Sequence, residues 1–580
     1  MPNPTNPLIV QSDKTILLDV HAPLAEECRN ALIPFAELER SPEHLHTYRL
    51  TPLSLWNVAS AGIPVDHVIQ VLEQYSRYPV PQPVSFWITE IAGRFGKLRM
   101  IASDEADGSE DFEMLYLETD SVAVYKEIEA SKKMKDLLFP KPAKGVFRFA
   151  LKLVDRGTVK QELLTLGWPV KDEVPLVDGE PLELELKPVC SNGRPFVVRD
   201  YQKQAARALV GDMGPGTGFG TIVLPCGAGK TIVGMEIMSL LKTSTLIVTT
   251  NISAVHQWIE ELLDKTSLKK DQIAEYTGEE KEIKQVTIAT YQILTWRPNP
   301  DSPYPHFGLF RKRPWGLIIY DEVHLLPAPV FRVTAELQAV RRVGLTATLV
   351  REDNCEGHVF SLVGPKRYDV PWKELENSGW IAEAECVEVR LDLPQDKQIE
   401  YAVSGTREKH KIASNNGQKI GIVELLIKKF SEERILVIGQ YLEQLNVIAE
   451  KLKAPIITGK TPNTERDRIY NDFRAGKIRV LVVSKVANFA IDLPDASMAI
   501  QISGTFGSRQ EEAQRLGRLL RPKNHKALFF TLITRNTVEE EFGTHRQKFL
   551  AEQGYDYKIL RYVDDSQFTE QLIKEDICNG

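Results

Sequence analysis

A glycine-containing octapeptide is the strongest chemical signal in the sequence. Residues 224–231 read LPCGAGKT and lie between an apolar run and a segment with helical periodicity. Glycines at such a junction let backbone N–H groups converge on phosphate oxygens at a helix N-terminus. Lys230 would bring a positive charge to the β and γ phosphates, and Thr231 would ligate magnesium. The predicted nucleotide-binding residues here are Gly227, Ala228, Gly229, Lys230 and Thr231.

The octapeptide departs from the general G-x-x-x-x-G-K-T pattern at its first position. That position is Leu224, so only the G-x-G-K-T half of the pattern matches. A glycine-containing turn between a strand and a helix, without a ligand, is therefore the structural alternative.

Two adjacent acidic residues supply a second signal. Asp321 and Glu322 follow the apolar run 317–320, and His324 comes two residues later. We expect Asp321 to hold the magnesium ion together with Thr231, at the carboxyl end of a strand. Glu322 would orient and deprotonate the attacking water. An acidic turn that caps a helix is the alternative, and the loop at Lys230 argues against it. ATP and Mg²⁺ are the predicted cofactors.

Two further groups of residues, a pair of threonines and a pair of arginines, would act on the γ phosphate during ATP hydrolysis. Thr346 and Thr348 follow a β-like run and would sense the γ phosphate. Arg518 and Arg521 are three residues apart, hence on one helix face, and two guanidiniums suit a phosphoryl group that spreads its charge over several oxygens. A capped turn and a solvated basic helix face are the respective alternatives.

The elements that must position these residues are read from periodicity. Eight β-rich runs alternate with amphipathic helices and form two groups of four, which predicts two α/β lobes with doubly wound parallel sheets. The runs are 221–224, 245–249, 286–289, 317–320, 434–438, 480–483, 498–502 and 528–532.

The N-terminal part has a different pattern. Thr51 can cap a helix that ends near Gly62, and a second apolar periodicity runs from Val65 to Leu72. Residues 139–192 alternate apolar and polar positions around a short helix, which indicates a small α+β module. The length of 580 residues fits several domains, and we predict boundaries that give 1–138, 139–192, 193–378 and 379–580.

Composition narrows the class of protein. Hydrophobic residues make up 43% and charged residues 26%, as in folded soluble proteins, and no run of about 18 apolar residues suggests a membrane span. The start of the chain lacks a secretory signal pattern, so we expect a cytoplasmic protein. Six scattered cysteines favour neither disulfides nor a zinc site. A net charge of −7 requires any nucleic-acid track to be local.

Together these motifs resemble the XPB family of superfamily-two DNA helicases, in its compact prokaryotic form. Arg199 and Gln202 in RDYQ are similar to the family's adenine-reading element, and Trp258 ends a stretch similar to its first strand-contacting motif. The RED triplet at 351–353 is the most particular match, and residues 507–515, GSRQEEAQR, add Gln514 to the nucleotide site. The resemblance implies coupling and DNA roles for Trp258, His324, Thr346, Thr348, Arg351, Glu352 and Asp353.

The resemblance also implies architecture and activity. It implies two RecA-like lobes, a damage-recognition module at 139–192 and a short thumb-like insertion near 394–418. In that insertion the expected contacts to the DNA backbone are Arg407, Lys409, His410 and Lys411.

The activity it implies is ATP-dependent 3′ to 5′ unwinding of DNA in nucleotide excision repair. The expected substrates are a single strand and a duplex junction, with use at the nucleoid and a repair nuclease or other accessory protein as partner. A double-stranded DNA translocase that does not separate strands and a nucleotide-binding scaffold remain the alternatives. RNA stays open as a substrate because the nucleotide motifs do not distinguish a 2′-hydroxyl.

Overall fold

The structure is a computed structural model of the 580-residue chain. It describes residues 3–32, 34–40, 45–102, 114–141, 145–176, 178–213, 217–225, 227–300, 302, 304–326, 340–347, 356–370, 375–376, 378–380, 384–484, 496–503, 527–540, 543, 556–575 and 577. The chain forms two compact units. The first consists of Met1–Leu224 and Gly229–Val370, and the second of Pro225–Ala228 and Pro371–Gly580.

The first unit begins with a four-stranded antiparallel sheet in the order β1-β2-β4-β3. Its elements are β1 (Leu8–Val10), β2 (Thr15–Asp19), α1 (Ala25–Leu32), β3 (Glu37–Arg40), β4 (Leu45–Arg49), α2 (Pro52–Ser60), α3 (Val65–Tyr75) and α4 (Gln82–Ala92). Thr51 caps α2, since its hydroxyl accepts from the Ser54 N–H and its own N–H donates to the Ser54 hydroxyl. Both predicted helices of this region are confirmed. Sheet and helices share one apolar core.

A five-stranded sheet follows, in the order β7-β8-β6-β5-β9. Its elements are β5 (Leu98–Ala102), β6 (Met114–Thr119), α5 (Val122–Ala130), β7 (Phe139–Pro140), β8 (Phe147–Lys152), α6 (Arg156–Thr165) and β9 (Val170–Asp172). Because β6 pairs with β8 and β5 with β9, the boundary predicted between residues 138 and 139 cuts through one sheet. The small module, defined here as residues 98–174, therefore begins at residue 98, which is 41 residues before the predicted start at 139.

Residues 178–190, here called the strap, lie along the first lobe. Their alternating pattern predicts strands of the small module, but they form no strand of that module. The N–H of Leu182 donates to the carbonyl of Lys242 at 2.9 Å, and that of Lys187 to Lys265 at 2.8 Å. Glu180 accepts two bonds from the Arg313 guanidinium, at 2.7 and 2.9 Å. Arg313 thus holds the strap against the first lobe.

The crossing of strap and lobe requires glycine. A Cβ on Gly179 would lie 2.1 Å from the backbone nitrogen of Gly316, which is far inside van der Waals contact. The two backbones can therefore approach only because the strap has no side chain at this position.

The first lobe is a seven-stranded parallel sheet in the order β12-β13-β11-β14-β15-β10-β16. Its elements are α7 (Asp200–Val210), β10 (Phe219–Val223), α8 (Lys230–Leu241), β11 (Thr245–Thr249), α9 (Ile252–Lys265), β12 (Ile273–Tyr276), β13 (Val286–Thr290), α10 (Tyr291–Thr295), β14 (Leu317–Asp321), β15 (Arg341–Thr346), α11 (Glu356–Leu362) and β16 (Lys366–Asp369). The central strands are buried on both faces, as parallel sheets covered by helices require. Their carboxyl ends meet at one edge.

The second unit repeats this architecture with the strand order β19-β20-β18-β21-β22-β17-β23, again parallel. Its elements are β17 (Ala384–Leu391), α12 (Gln395–Val403), α13 (Thr406–Ser414), α14 (Gln418–Lys429), β18 (Ile435–Gly439), α15 (Leu442–Leu452), β19 (Ile456–Ile457), α16 (Asn463–Arg474), β20 (Val480–Ser484), β21 (Met498–Gln501), β22 (Ala527–Thr534), β23 (Asp556–Tyr562) and α17 (Asp565–Lys574). The predicted fold of two doubly wound lobes after N-terminal α+β domains is confirmed. Among the described helices, none is long and apolar enough to cross a bilayer.

The segment expected to be thumb-like, 394–418, contains the two short helices α12 and α13. Arg407 and Lys411 are exposed there, as a contact to a nucleic-acid backbone requires. His410 is 1% exposed, and its Nδ1 lies 2.8 Å from the Tyr441 hydroxyl. The prediction of His410 as a DNA contact is therefore wrong, because its ring is part of the interior.

Candidate nucleotide site

The loop between β10 and α8 has the backbone that its glycines predict. Gly227 and Gly229 have φ angles of 81° and 77°, in the left-handed region that side chains disfavour. A Cβ on Gly229 would lie only 2.6 Å from the Gln202 Nε2 atom. Lys230 begins the helix directly after Gly229, so the helix N-terminus follows the loop without a spacer.

The missing first glycine has a structural reason. Leu224 is fully buried and continues the strand, since its N–H donates to the carbonyl of Thr346 at 2.9 Å. The turn therefore begins only after Leu224, and the remaining loop contains both glycines that need left-handed backbone.

Lys230 forms an ion pair with Glu322. Its Nζ lies 3.0 Å from Oε1 of Glu322, and the two side chains are only 12% and 17% exposed. The Glu322 Oε2 atom is buried and has no hydrogen bond of normal length and angle within the described part of the chain, although the backbone N–H of Ala347 also interacts with this carboxylate. Glu322 also has a φ of 50°, a strained angle for a residue with a side chain and typical of functional sites.

Asp321 is held by three groups at the end of β14. Its Oδ2 atom accepts from the indole N–H of Trp258 at 2.9 Å and faces the Thr249 hydroxyl at 3.5 Å. Its Oδ1 atom accepts from the backbone N–H of Glu322 at 3.0 Å. The carboxylate is thus oriented from the lobe interior.

The two adjacent carboxyl groups differ in their proton affinity. Burial and the neighbouring charge of Glu322 raise the pKa of Asp321 to about 6. Burial alone would raise the pKa of Glu322 as well, but the Lys230 ammonium, with His324 nearby, outweighs burial and holds this pKa below its ordinary value. Environments that separate the pKa values of paired acids are how sites assign different roles to them.

His324 connects this site to β15. The ring is 5% exposed, and its Nδ1 lies 2.7 Å from the Thr346 hydroxyl and 3.5 Å from Oε2 of Glu322. Thr346 is the last residue of β15 and is itself fully buried. The structure thus brings together two of the residues predicted to couple hydrolysis to movement.

The two residues predicted to read adenine lie at the start of α7. The backbone N–H of Arg199 donates to the Gln202 side chain at 2.9 Å, which fixes the helix start. Gln202 is 3% exposed and faces Gly229, so its amide borders the loop between β10 and α8, here called the phosphate loop (residues 224–229). The Arg199 guanidinium donates to the Tyr201 hydroxyl at 3.1 Å.

Trp258 corrects one expectation. A residue that contacts DNA must be accessible, whereas Trp258 is 1% exposed and its ring packs against Gly234. Its indole N–H is used on Asp321 instead. A direct DNA contact by Trp258 is therefore not compatible with its burial, and its side chain instead orients the Asp321 carboxylate.

Tyr291 is a residue of the site that sequence reasoning missed. Its hydroxyl donates to the backbone carbonyl of Asp321 at 2.9 Å. The motif that contains it, Thr290 to Gln292, is similar to a strand-contacting motif of the XPB family, and this was the only signal. Nothing in the local pattern pointed to a partner thirty residues away.

The remaining predicted residues divide into two groups. Thr231 is the second residue of α8, directly after Lys230, and Ala228 is fully buried in the loop. Outside the described residues lie Thr348, Arg351, Glu352, Asp353, Gln514, Arg518 and Arg521.

Three family models match successive parts of the chain. Residues 8–143 match the model described as "Helicase conserved C-terminal domain", and 195–351 match "Type III restriction enzyme, res subunit". Residues 375–577 match "ERCC3/RAD25/XPB C-terminal helicase". The third model thus covers nearly all of the second unit.

Curated relatives match along nearly the whole length. The chain is 50% identical to a protein of Kineococcus radiotolerans named "DNA 3'-5' helicase XPB", over 96% of each chain. It is 49% identical to the Mycobacterium tuberculosis protein of the same name, over 96% of this chain and 98% of that one. A Saccharomyces cerevisiae subunit of transcription and DNA repair factor IIH, named XPB/SSL2, is 31% identical over 96% of this chain and 72% of its own. With identity of this extent joined to a phosphate loop and a paired-carboxylate site, the chain belongs to the XPB family of helicases.

Proposed function

We propose that the chain is an ATP-driven DNA motor that moves 3′ to 5′ and separates the strands of a duplex. One observation carries the proposal: Glu322 pairs with Lys230 and directly follows Asp321 at the carboxyl edge of a parallel sheet, and one of its oxygens is buried without a hydrogen bond of normal geometry within the described residues. That oxygen is suited to accept a proton from water. The names of the bacterial relatives support DNA as the substrate.

ATP and magnesium fit the residues present. A side chain at Gly229 would collide with the Gln202 amide, and the left-handed glycines would let backbone N–H groups of the loop point to the phosphates. Thr231 and Asp321 would hold Mg²⁺, which neutralises charge on the phosphates. On nucleotide binding, the Lys230 ammonium would leave Glu322 and pair with the phosphates. Glu322, relieved of its partner, would then orient the attacking water and take its proton.

Coupling would run through the residues around Thr346. The bond between His324 and Thr346 links the water-activating residue to the strand end where Thr348, Arg351, Glu352 and Asp353 follow. We assign to these residues the transmission of phosphate loss. We assign Gln514, Arg518 and Arg521 to nucleotide contact from the second lobe on closure. Hydrolysis would thus require both lobes, residues 193–378 and 379–580.

The name of the yeast relative, a subunit of a transcription and DNA repair factor, supports a biological setting in DNA repair. We propose a role in nucleotide excision repair at a junction of single-stranded and duplex DNA, with a repair nuclease or accessory protein as partner and the cytoplasm, at the nucleoid, as location. Phosphate contacts would dominate DNA binding, so binding would weaken with salt and vary little with sequence.

A strand-displacement assay with the full chain tests the proposal. We expect ATP hydrolysis stimulated by DNA, and ATP-dependent unwinding of a duplex with a 3′ tail but not of one with a 5′ tail. The same duplexes made of RNA test the substrate class. Stimulated hydrolysis without unwinding would instead establish a double-stranded DNA translocase, and nucleotide binding without hydrolysis would establish a scaffold.

A further inference from the structure

The peptide bond between Asp321 and Glu322 is held at both of its polar groups. Its carbonyl, on Asp321, accepts a hydrogen bond of 2.9 Å from the Tyr291 hydroxyl, and its N–H, on Glu322, donates to Oδ1 of Asp321 at 3.0 Å. The next carbonyl, on Glu322 itself, accepts from the N–H of Leu325 at 2.8 Å. Hydrogen bonds therefore fix the peptide planes on both sides of Glu322.

These hydrogen bonds hold Glu322 in an unfavourable backbone conformation. Its φ and ψ angles are 50° and 53°, in the left-handed region that side chains disfavour. A residue stays in this region only where the surrounding contacts over-determine its conformation. If the Asp321 carbonyl were released, the peptide could rotate and Glu322 could relax to a negative φ angle. The carboxyl group would then turn away from the Lys230 ammonium, which lies 3.0 Å from it.

The bond from Tyr291 differs from the other two in its origin. The other two come from within three residues of Glu322, whereas Tyr291 lies thirty residues before Asp321. In the sheet, β11 separates β13 from β14, so the tyrosine reaches from the end of one strand across two strand spacings, roughly 10 Å. Only this bond of the three ties the peptide to a separate part of the first lobe.

The Tyr291 side chain is itself held in a fixed position. Tyr291 is the first residue of α10, and the Thr290 hydroxyl caps this helix by accepting from a backbone N–H of its first turn at 3.2 Å. The tyrosine ring is 4% exposed and belongs to the same apolar core as Tyr320 and Val323, which flank the paired carboxyl groups in sequence. The hydroxyl is thus presented to the strand end by a rigid support.

We propose that Tyr291 is a positioning residue for ATP hydrolysis: its hydroxyl orients the peptide before Glu322 so that the carboxyl group faces the attacking water. This role rests on the proposed function, in which Glu322 takes a proton from that water. The Tyr291 hydroxyl acts on the backbone, whereas Trp258 acts on the Asp321 carboxylate. The two residues therefore support different parts of one site. No relative's name or family model assigns this role.

Tyr291→Phe in the full-length chain tests the proposal, since it keeps the ring in the core and removes the hydroxyl. The kcat of DNA-stimulated ATP hydrolysis should fall roughly three- to tenfold, as the loss of one hydrogen bond predicts. The KM for ATP and the magnesium concentration for half-maximal activity should change by less than about twofold, because Lys230 and the Asp321 carboxylate are unchanged. A rise in either value without a fall in kcat would overturn the proposal.

The same substitution in a Glu322→Gln background separates positioning from a general effect on folding. If Tyr291 acts through Glu322, Tyr291→Phe should change the single-turnover rate of Glu322→Gln by less than about twofold, because the base is already removed. An equal fold-loss in the two backgrounds would also overturn the proposal, since the hydroxyl would then act on the fold or on another group.

Tyr276→Phe is the matched control. Tyr276 is also 4% exposed and lies in the same core, but its hydroxyl lies 3.0 Å from Nδ1 of His306. It should leave kcat within about twofold of the unmodified chain, because sites without shared partners act independently. Equal effects of Tyr276→Phe and Tyr291→Phe would overturn the positioning role alone. An unmodified chain that hydrolysed no ATP would overturn the motor function together with this role, so the two failures are distinguishable.

Discussion

Each unit contains a buried lysine–glutamate pair, and the two pairs differ in how fully their bonding capacity is used. In the first lobe Lys230 and Glu322 lie 3.0 Å apart, and in the second lobe Lys419 and Glu539 lie 2.8 Å apart. The first pair is 12% and 17% exposed, whereas the second is 0% and 5% exposed. Distance therefore does not distinguish the pairs, but their surroundings do.

The second pair is saturated. The Lys419 ammonium also donates to the carbonyl of Ile502 at 2.9 Å, and Glu539 also accepts from the Ser414 hydroxyl and the Thr534 N–H, both at 2.9 Å. In contrast, the Glu322 Oε2 atom has no hydrogen bond of normal geometry within the described residues, with the nearest ring nitrogen of His324 3.5 Å away, and the Glu322 backbone is strained. A saturated pair fixes structure, whereas an unsaturated, strained pair is ready to exchange partners.

The largest expected effect breaks the pair at the nucleotide site. Glu322→Gln should lower the DNA-stimulated ATPase rate by about 10²–10⁴-fold, the usual contribution of a general base. Binding of ATP should persist, because Lys230 and the loop are unchanged. Steady-state hydrolysis and nucleotide binding measure the two effects. Glu279→Gln, on the exposed surface of the same lobe, is the control. An unchanged rate for Glu322→Gln would refute its role as the base.

The second variant removes the lysine of the saturated pair. Lys419→Met leaves the Glu539 carboxylate buried without its cation, so the second unit should lose about 3–5 kcal/mol of its free energy of unfolding. Lys230→Met leaves the Glu322 carboxylate 17% exposed, so solvent can partly compensate its charge and the loss should be smaller, about 1–3 kcal/mol. Urea unfolding of both variants measures the difference. Equal losses would contradict the distinction between the pairs, and Lys419→Met with Glu539→Leu should recover much of the stability.

The third variant concerns the raised pKa of Asp321. Its folded-state pKa of about 6 exceeds the ordinary 3.8, so the folded protein binds the proton more tightly and gains stability as the pH falls from 7 towards 4. At neutral pH the ionised group costs stability, and Asp321→Asn should therefore stabilise the metal-free protein by on the order of 2 kcal/mol. Thermal unfolding between pH 3.5 and 7.5 should show the advantage vanish below pH 4. A constant advantage at all pH values would exclude ionisation as its cause.

The smallest effect sharpens the role of Trp258. Trp258→Phe keeps the ring in the core but removes the N–H that orients Asp321, so the magnesium concentration for half-maximal ATPase activity should rise roughly tenfold, as for other partners of metal ligands. Trp296→Phe, at an exposed tryptophan of the same lobe, should have no effect. If Trp258→Phe lowered the rate at saturating magnesium without changing the magnesium requirement, the orienting role would be wrong.

Local patterns were sufficient to predict the two parallel sheets and the position of the paired carboxyl groups at a strand end. Each of the eight predicted β-runs lies at a strand of the two parallel sheets, because strands buried on both faces are continuous apolar runs. Asp321 and Glu322 could be identified because the strand before them fixes their position. The loop glycines could be identified because only glycine tolerates their φ angles.

The predictions that were wrong concern features that depend on contacts between segments far apart in the sequence. The boundary predicted between residues 138 and 139 is wrong because β5 and β6 pair with strands that come after it. The backbone groups of the strap form hydrogen bonds with residues of the first lobe that are far away in the sequence. Trp258 was assigned to DNA because its true partner, Asp321, is 63 residues away. Pairing of this kind leaves no trace in local composition.

The strap also has a mechanical consequence. A motor that pulls on DNA exerts an equal force on whatever its N-terminal modules hold, and that force must pass into the first lobe. Three contacts follow one another along the strap: the two hydrogen bonds from Arg313 to Glu180, and the backbone hydrogen bonds of Leu182 and of Lys187. A pulling force along the strap would be shared among several of these hydrogen bonds. The N-terminal modules are therefore joined firmly to the first lobe, and not through a flexible linker.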